Sequence, residues 1–156
     1  MAKIARDTQR ISEIFKQRLI ILMDEADLEL PEFCKNVNIS QSVIRLAVNF
    51  GIVPSVLSII KIVEFCDASF DYIVGESDKN DFIKSLTPTC FHERYKLLRD
   101  EKGVKDSQVA SVMSFSRNFI SEWMRNKTLP SIDYLKAIAK YFNVSIDYLL
   151  GRTDYR

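Results

Sequence analysis

The sequence is poor in the residues that build chemistry. It holds one histidine, three cysteines, four glycines and four prolines among 156 residues. A single histidine, His92, leaves no nucleophile–base pair and no metal-ligand spacing, and no glycine-rich phosphate loop follows a strand. Enzyme chemistry and a bound cofactor are therefore not expected. Cys34, Cys66 and Cys90 are too few and too scattered for a disulfide framework or a zinc site. Cys34 and Cys66 are expected as small buried hydrophobes in a reducing compartment, the cytoplasm. Scarce glycine and proline exclude long irregular tracts and favour helices. The longest uninterrupted apolar patch, Leu19 to Met23, falls far short of the roughly 20 residues a membrane span needs. The opening "MAKIARDTQR" has no apolar core before a small-residue cleavage site, so no export signal is expected.

What the sequence does contain is a repeat. Shifted by 76 positions, residues 15 to 78 lie over 91 to 154 without a gap, and 15 of the 64 pairs are identical. Among them are Phe15/Phe91, Arg18/Arg94, Ser40/Ser116, Ile44/Ile120, Pro54/Pro130, Tyr72/Tyr148, Gly75/Gly151 and Asp78/Asp154. This predicts an all-α chain of two copies: residues 1–78, a linker at 79–86, and residues 87–156. In the second copy, Thr87-Pro88 reads as a helix start and Gly103 as its stop. Asp106 reads as the cap of a short helix to about Met113. Ser116 caps the next, and Asn126 closes it in the left-handed conformation. Pro130-Ser131 opens a fourth helix through Phe142, and Ser145 a fifth that ends at Gly151.

The third helix of that copy, within "SFSRNFISEWMRNK", divides cleanly at about 100° per residue. Phe119, Ile120, Trp123 and Met124 fall on one side, and Arg117, Asn118, Ser121, Glu122 and Arg125 on the other. Trp123 is expected in the core. An amphipathic helix of this kind commonly does no more than bury one face.

The second copy, "LLRDEKGVKDSQVASVMSFSRNFISEWMRNKTLPSIDYLKAIAKYFNVSIDYLLGRTD", resembles the lambda-repressor-like, Xre-type helix-turn-helix domains of bacterial and phage regulators. The "S..IS.W" core, the later proline and "L..IA..F.VS.DYLLG" stand in that family's order and spacing. The first copy is similar but divergent, keeping "SFDYIVG" and Ser40, Ile44 and Pro54. The resemblance implies two tandem five-helix domains, with the third helix of a DNA-reading copy in the major groove of double-stranded DNA. It places Arg117, Asn118 and Glu122 at base-facing positions, with Ser121 beside them. Arginine pairs with guanine, asparagine with adenine, and glutamate accepts from cytosine. Ser116, Arg125, Asn126, Lys127 and Thr128 fall at the helix ends where phosphates pass, with Arg99 and Lys105 as further DNA-binding candidates. The amides opening the second helix also suit a phosphate. Three departures stand out. Asp106 replaces a frequent glutamine, which disfavours that phosphate. Met124 replaces an acid that pairs with the first-helix arginine, so Arg99 is expected to be free for phosphate. Ser114 replaces the usual turn glycine.

Charge separates the copies. Residues 1–78 hold 8 Lys/Arg and 12 Asp/Glu, and residues 79–156 hold 14 and 9, balances of −4 and +5. Phosphate binding requires cations, whereas the first copy opens its second helix with "DEADLELPE" and carries Leu46 in the place of Glu122. Phe50, Ile52 and Val53 there suggest a contact with a protein partner or a second copy. The acidic run Asp24 to Glu32 fits a solubilising surface as well as a partner site. His92, Lys136 and Lys140 are expected at the surface, and Met23 and Met113 as fillers. The aromatics of "IAKYFNVSIDYLL" fit helix packing or a dimer seam. The expectation is a homodimeric transcriptional regulator, more repressor than activator, that reads DNA through its C-terminal copy. An adaptor of antirepressor or antitoxin type that has kept the fold without reading DNA is the alternative. A third arrangement packs the two copies as an internal dimer.

Overall fold

The computed structural model describes residues 10–156; the residues on which the absence of an export signal was read lie almost wholly outside them. The described residues divide into two units, the first ending at Asp81 and the second running from Phe82 to Arg156. The chain is all-helical among these residues, apart from one isolated bridge between Ile11 and Ile52. Among the described residues no helix is long and apolar enough to cross a membrane.

The first unit contains α1 (Glu13–Glu25), α2 (Leu30–Val37), α3 (Gln41–Phe50), α4 (Val56–Cys66) and α5 (Phe70–Ile73). Serine hydroxyls start three of them: Ser12, Ser55 and Ser69 accept the backbone N–H of Phe15, Ser58 and Tyr72. Left-handed residues stop three: Asn38 after α2, Gly51 after α3 and Asp67 after α4. Helix α1 packs on α3 and α5 around Phe15, Leu19, Phe33, Ile44, Ile59 and Phe70.

The second unit contains α6 (Phe91–Lys102), α7 (Asp106–Val112), α8 (Arg117–Asn126), α9 (Ile132–Phe142) and α10 (Ile146–Leu149). Ser116, Ser131 and Ser145 cap α8, α9 and α10 by accepting from Asn118, Tyr134 and Tyr148. Gly103 and Asn143 end α6 and α9 in the left-handed conformation. Phe91, Tyr95, Leu98, Val109, Ile120, Leu135, Ile138 and Leu149 form its core. Positions 76 apart share their burial: Phe15 and Phe91, Ile44 and Ile120, Ile59 and Leu135, Ile73 and Leu149 are all buried.

One device recurs within each unit. In the first, Arg18 lies over the Tyr72 ring at 4.4 Å, donates to the carbonyls of Tyr72 and Ser77, and faces Asp78 at 3.9 Å. In the second, Arg94 lies over the Tyr148 ring at 4.0 Å, donates to the Tyr148 carbonyl at 3.3 Å, and pairs with Asp154 at 3.3 Å. Each arginine ties the unit's first helix to its last.

Several boundaries differ from the sequence expectation. Helix α6 starts at Phe91, not after Thr87-Pro88, because the Thr89 N–H is drawn to the Gly151 carbonyl and holds that segment alongside the C-terminal turn. Asp106 is the first residue of α7 and not its cap; the N-cap is Lys105, whose N–H donates to the Gln108 side chain at 2.8 Å. Lys127, not Asn126, takes the left-handed position after α8. Residues 82–86 pack on the second unit: Ser85 is buried, its N–H donates to the Arg152 carbonyl, and Phe82 lies against the Arg152 guanidinium. Cys34 is buried, Cys66 half-buried and Cys90 exposed.

Candidate nucleic-acid interface

Helices α7 and α8 pack against each other through a four-residue turn, Met113 to Ser116. The turn needs one left-handed residue, and Ser114 supplies it at φ 57°. That conformation costs a serine more than a glycine. Val109 and Ala110 of α7 and Ile120 and Trp123 of α8 bury the inner faces. Trp123 meets the rings of Phe91, Phe115 and Tyr134, so it is a core residue and not a free stacking group.

Burial of that stripe fixes what α8 presents outward. Arg117, Asn118, Ser121, Glu122, Arg125 and Asn126 are all exposed, as are Ser116, Lys127 and Thr128 at its ends. The Ser121 hydroxyl turns back to the Arg117 carbonyl at 3.4 Å. The side chains of Arg117, Arg125 and Lys127 form no ion pair among the described residues. Three cations and one carboxylate, Glu122, therefore stand on or beside a surface whose amide and hydroxyl groups also face water. Lys105, at the start of α7, is exposed on the same unit.

Arg99 departs from its expected role. It is not free: it donates to Asp106 Oδ1 at 3.0 Å and lies 3.7 Å from Asp100. The hydrogen bond to Asp106 raises the guanidinium's proton affinity, so the charge is held in the pair. The Tyr95 hydroxyl donates to the same Asp106 oxygen at 2.8 Å. Burial, then the bond to Asp106, pushes the Tyr95 phenol well above its ordinary range. The carboxylate that would oppose a phosphate at the start of α7 is thus neutralised by a cation from α6. The Gln108 side chain occupies the Lys105 amide there.

His92 is a second correction. It is buried, not at the surface, and its Nε2–H donates to the Thr128 carbonyl at 2.9 Å. It ties the segment after α8 to α6. The signal was available: His92 stands three residues before buried Tyr95, on the inward stripe of α6. On α9, Lys136 is half-buried and Lys140 is exposed.

The corresponding surface of the first unit has another chemistry. On α3, Gln41, Ser42 and Arg45 are exposed, but so are Leu46 and Phe50, the latter at 64%. Arg45 donates to Gln41 at 2.7 Å. Ile52 and Val53 are half-buried. Elsewhere on that unit, Ile20, Leu28, Leu30 and Val48 floor a groove of about 330 Å³ rimmed by Asp24, Asp27 and Glu29. No group of three or more potential metal ligands exists among the described residues.

A helix-turn-helix family matches residues 96–149, which run from the middle of α6 through α10. Those residues contain the whole of α7, the turn and α8. The chain is also 40% identical over 61 residues to an HTH-type transcriptional activator, BcrR, of Enterococcus faecalis. That alignment covers 39% of the chain and 30% of the relative, so the chain spans under a third of that relative's length. A transcriptional regulator of known crystal structure from Listeria innocua is 30% identical, with a TM-score of 0.39, over 45% of this chain and 65% of that one.

Proposed function

We propose that this chain is a sequence-specific DNA-binding transcriptional regulator that lays α8 in the major groove of double-stranded DNA. The observation that carries the reading is the exposure of Arg117, Asn118, Ser121, Glu122 and Arg125 above the buried Ile120 and Trp123, within a matched helix-turn-helix segment. Arg117, Asn118 and Glu122 read base edges. Ser116, Arg125, Asn126, Lys127, Thr128 and Lys105 hold the flanking phosphates, which orient the helix without reading sequence. The units are two copies of one five-helix fold, a reading supported by the shared burial of positions 76 apart and by the paired Arg18 and Arg94 devices. Residues 1–78 have given up DNA reading for protein contact, and the regulator acts as a homodimer.

Binding would regulate by occupying an operator, and repression follows wherever that operator overlaps a promoter. The Enterococcus relative is named an activator, so a gain in transcription from a site upstream of a promoter is the other outcome. A reporter carrying a selected site distinguishes the two by the sign of the change.

The test of the reading is titration against selected and random duplexes at several salt concentrations. A reader shows a steep salt slope with a specific tier above it. Arg117→Ala is expected to cost about 1–3 kcal/mol and to relax preference at one base pair, while Lys127→Ala weakens all duplexes alike and lowers the salt slope by about 1. A flat salt response and no specific tier would instead identify the protein-interaction adaptor.

A further inference from the structure

We infer that Phe119 is a specificity residue of this reading face, its ring contacting a thymine 5-methyl group beside the base pair that Glu122 faces. The inference rests on the DNA reading proposed above and adds a base-type preference to it.

Phe119 is the third residue of α8, and its side chain is 41% exposed. At about 100° per residue it lies between buried Trp123 and exposed Glu122. Residues three apart on a helix are surface neighbours, so Phe119 and Glu122 adjoin. The ring is not a loose end of the core. It stands against Phe115 at 6.3 Å and Tyr134 at 5.8 Å between ring centroids. Those two rings lie 4.8 Å apart and both meet Trp123. An aromatic cluster from the turn, α8 and α9 thus props Phe119 from behind, and the remaining part of its surface faces outward beside the polar groups.

Apolar surface left in water is unfavourable, and an apolar partner recovers that loss. Within the major groove, the base edge that offers an apolar group is thymine, through its C5-methyl. The equivalent position in the first unit, Val43, is half-buried and smaller. The propped, exposed ring therefore accompanies the basic unit, where Arg117, Asn118 and Glu122 are also found. A protein partner meeting the same ring would not care about the methyl of a nucleotide, which gives the test its discrimination.

Duplexes selected from a random-sequence pool by the full chain are resynthesised with deoxyuridine replacing thymine one position at a time, a change that removes only the methyl. The expected result is a loss of about three- to fivefold in affinity at one thymine of the site. Phe119→Ser should bind the thymine and uracil forms alike. Uniform indifference of the unaltered chain to every uracil overturns the inference and leaves the DNA reading intact. So does a uracil penalty that survives in Phe119→Ser. Failure to select any preferred duplex removes the reading itself, and the methyl contact with it. The uracil comparison on the unaltered chain needs no variant, so a Phe119→Ser chain that misfolds leaves the test standing.

Discussion

Asp106 receives two hydrogen bonds on one oxygen, from Tyr95 at 2.8 Å and from Arg99 at 3.0 Å. The phenol is buried, and ionising it would place a second negative charge against Asp106. Its folded-state proton affinity is accordingly raised above that of a free tyrosine. The sign follows from linkage: the unfolded chain releases the Tyr95 proton near pH 10, while the folded chain retains it. The stabilisation is present in full below that pH and is lost as pH rises through the alkaline range. In Tyr95→Phe, unfolding free energy should therefore fall less steeply above about pH 10, by up to roughly 1.4 kcal/mol per pH unit relative to the unaltered chain. Urea titrations of both proteins from pH 8 to 11 measure the difference. Parallel curves would mean that Tyr95 ionises as easily when folded. The Asp106 network was not legible in the sequence, because nothing in helical periodicity records which polar side chains meet across two helices. A family pattern suggested that Arg99 lacked its acid; the chain supplies a different one, seven residues along and at the start of α7.

At the scale of elements, sequence and structure agree best where a local rule decides the outcome. Serine caps at Ser116, Ser131 and Ser145, the stop at Gly103 and the buried stripe of Ile120 and Trp123 follow from local spacing and were all readable. Disagreement appears where a distant backbone group competes. The Gly151 carbonyl captures Thr89 and delays α6 to Phe91, and the Arg152 carbonyl captures Ser85 from the expected linker. The same C-terminal turn receives Arg94 from α6, which is the element-scale device most open to test. Arg94 is buried, its guanidinium lies over Tyr148, and it reaches both the Tyr148 carbonyl and Asp154. Arg94→Met keeps most of the side-chain volume but removes the cation over the ring and both hydrogen bonds. A loss of about 2 kcal/mol is expected in chemical denaturation. The far-UV signal should retain its native shape below the transition, because methionine is also a good helix former. An unchanged midpoint would reduce this arginine to a bystander.

Over the whole molecule, the near-neutral total charge conceals an acidic and a basic half, and only the basic half has a cationic, polar third-helix surface. If one chain contributes one reading helix, a two-fold operator needs a second chain to place a second helix about 34–36 Å along the DNA. The first unit offers the means. Leu46 and Phe50 of α3 stand where α8 has a glutamate and an asparagine, and both are exposed, so the third helix of the first unit is apolar at an outer edge that is polar in the second. Exposed apolar side chains gathered at one place mark contact surfaces more often than they serve a single folded chain. On the homodimer reading, Phe50→Asp places a charge where apolar contact is needed without disturbing the core, because Phe50 is already 64% exposed. Sedimentation of the full chain should then pass from two copies to one. Affinity for a duplex with two half-sites should fall at least tenfold, the loss of about 1.4 kcal/mol or more of coupling, while affinity for an isolated half-site stays the same. A Phe50→Asp protein that remains dimeric would move the dimer contact off α3, and a parent chain that is already monomeric would overturn the homodimer reading.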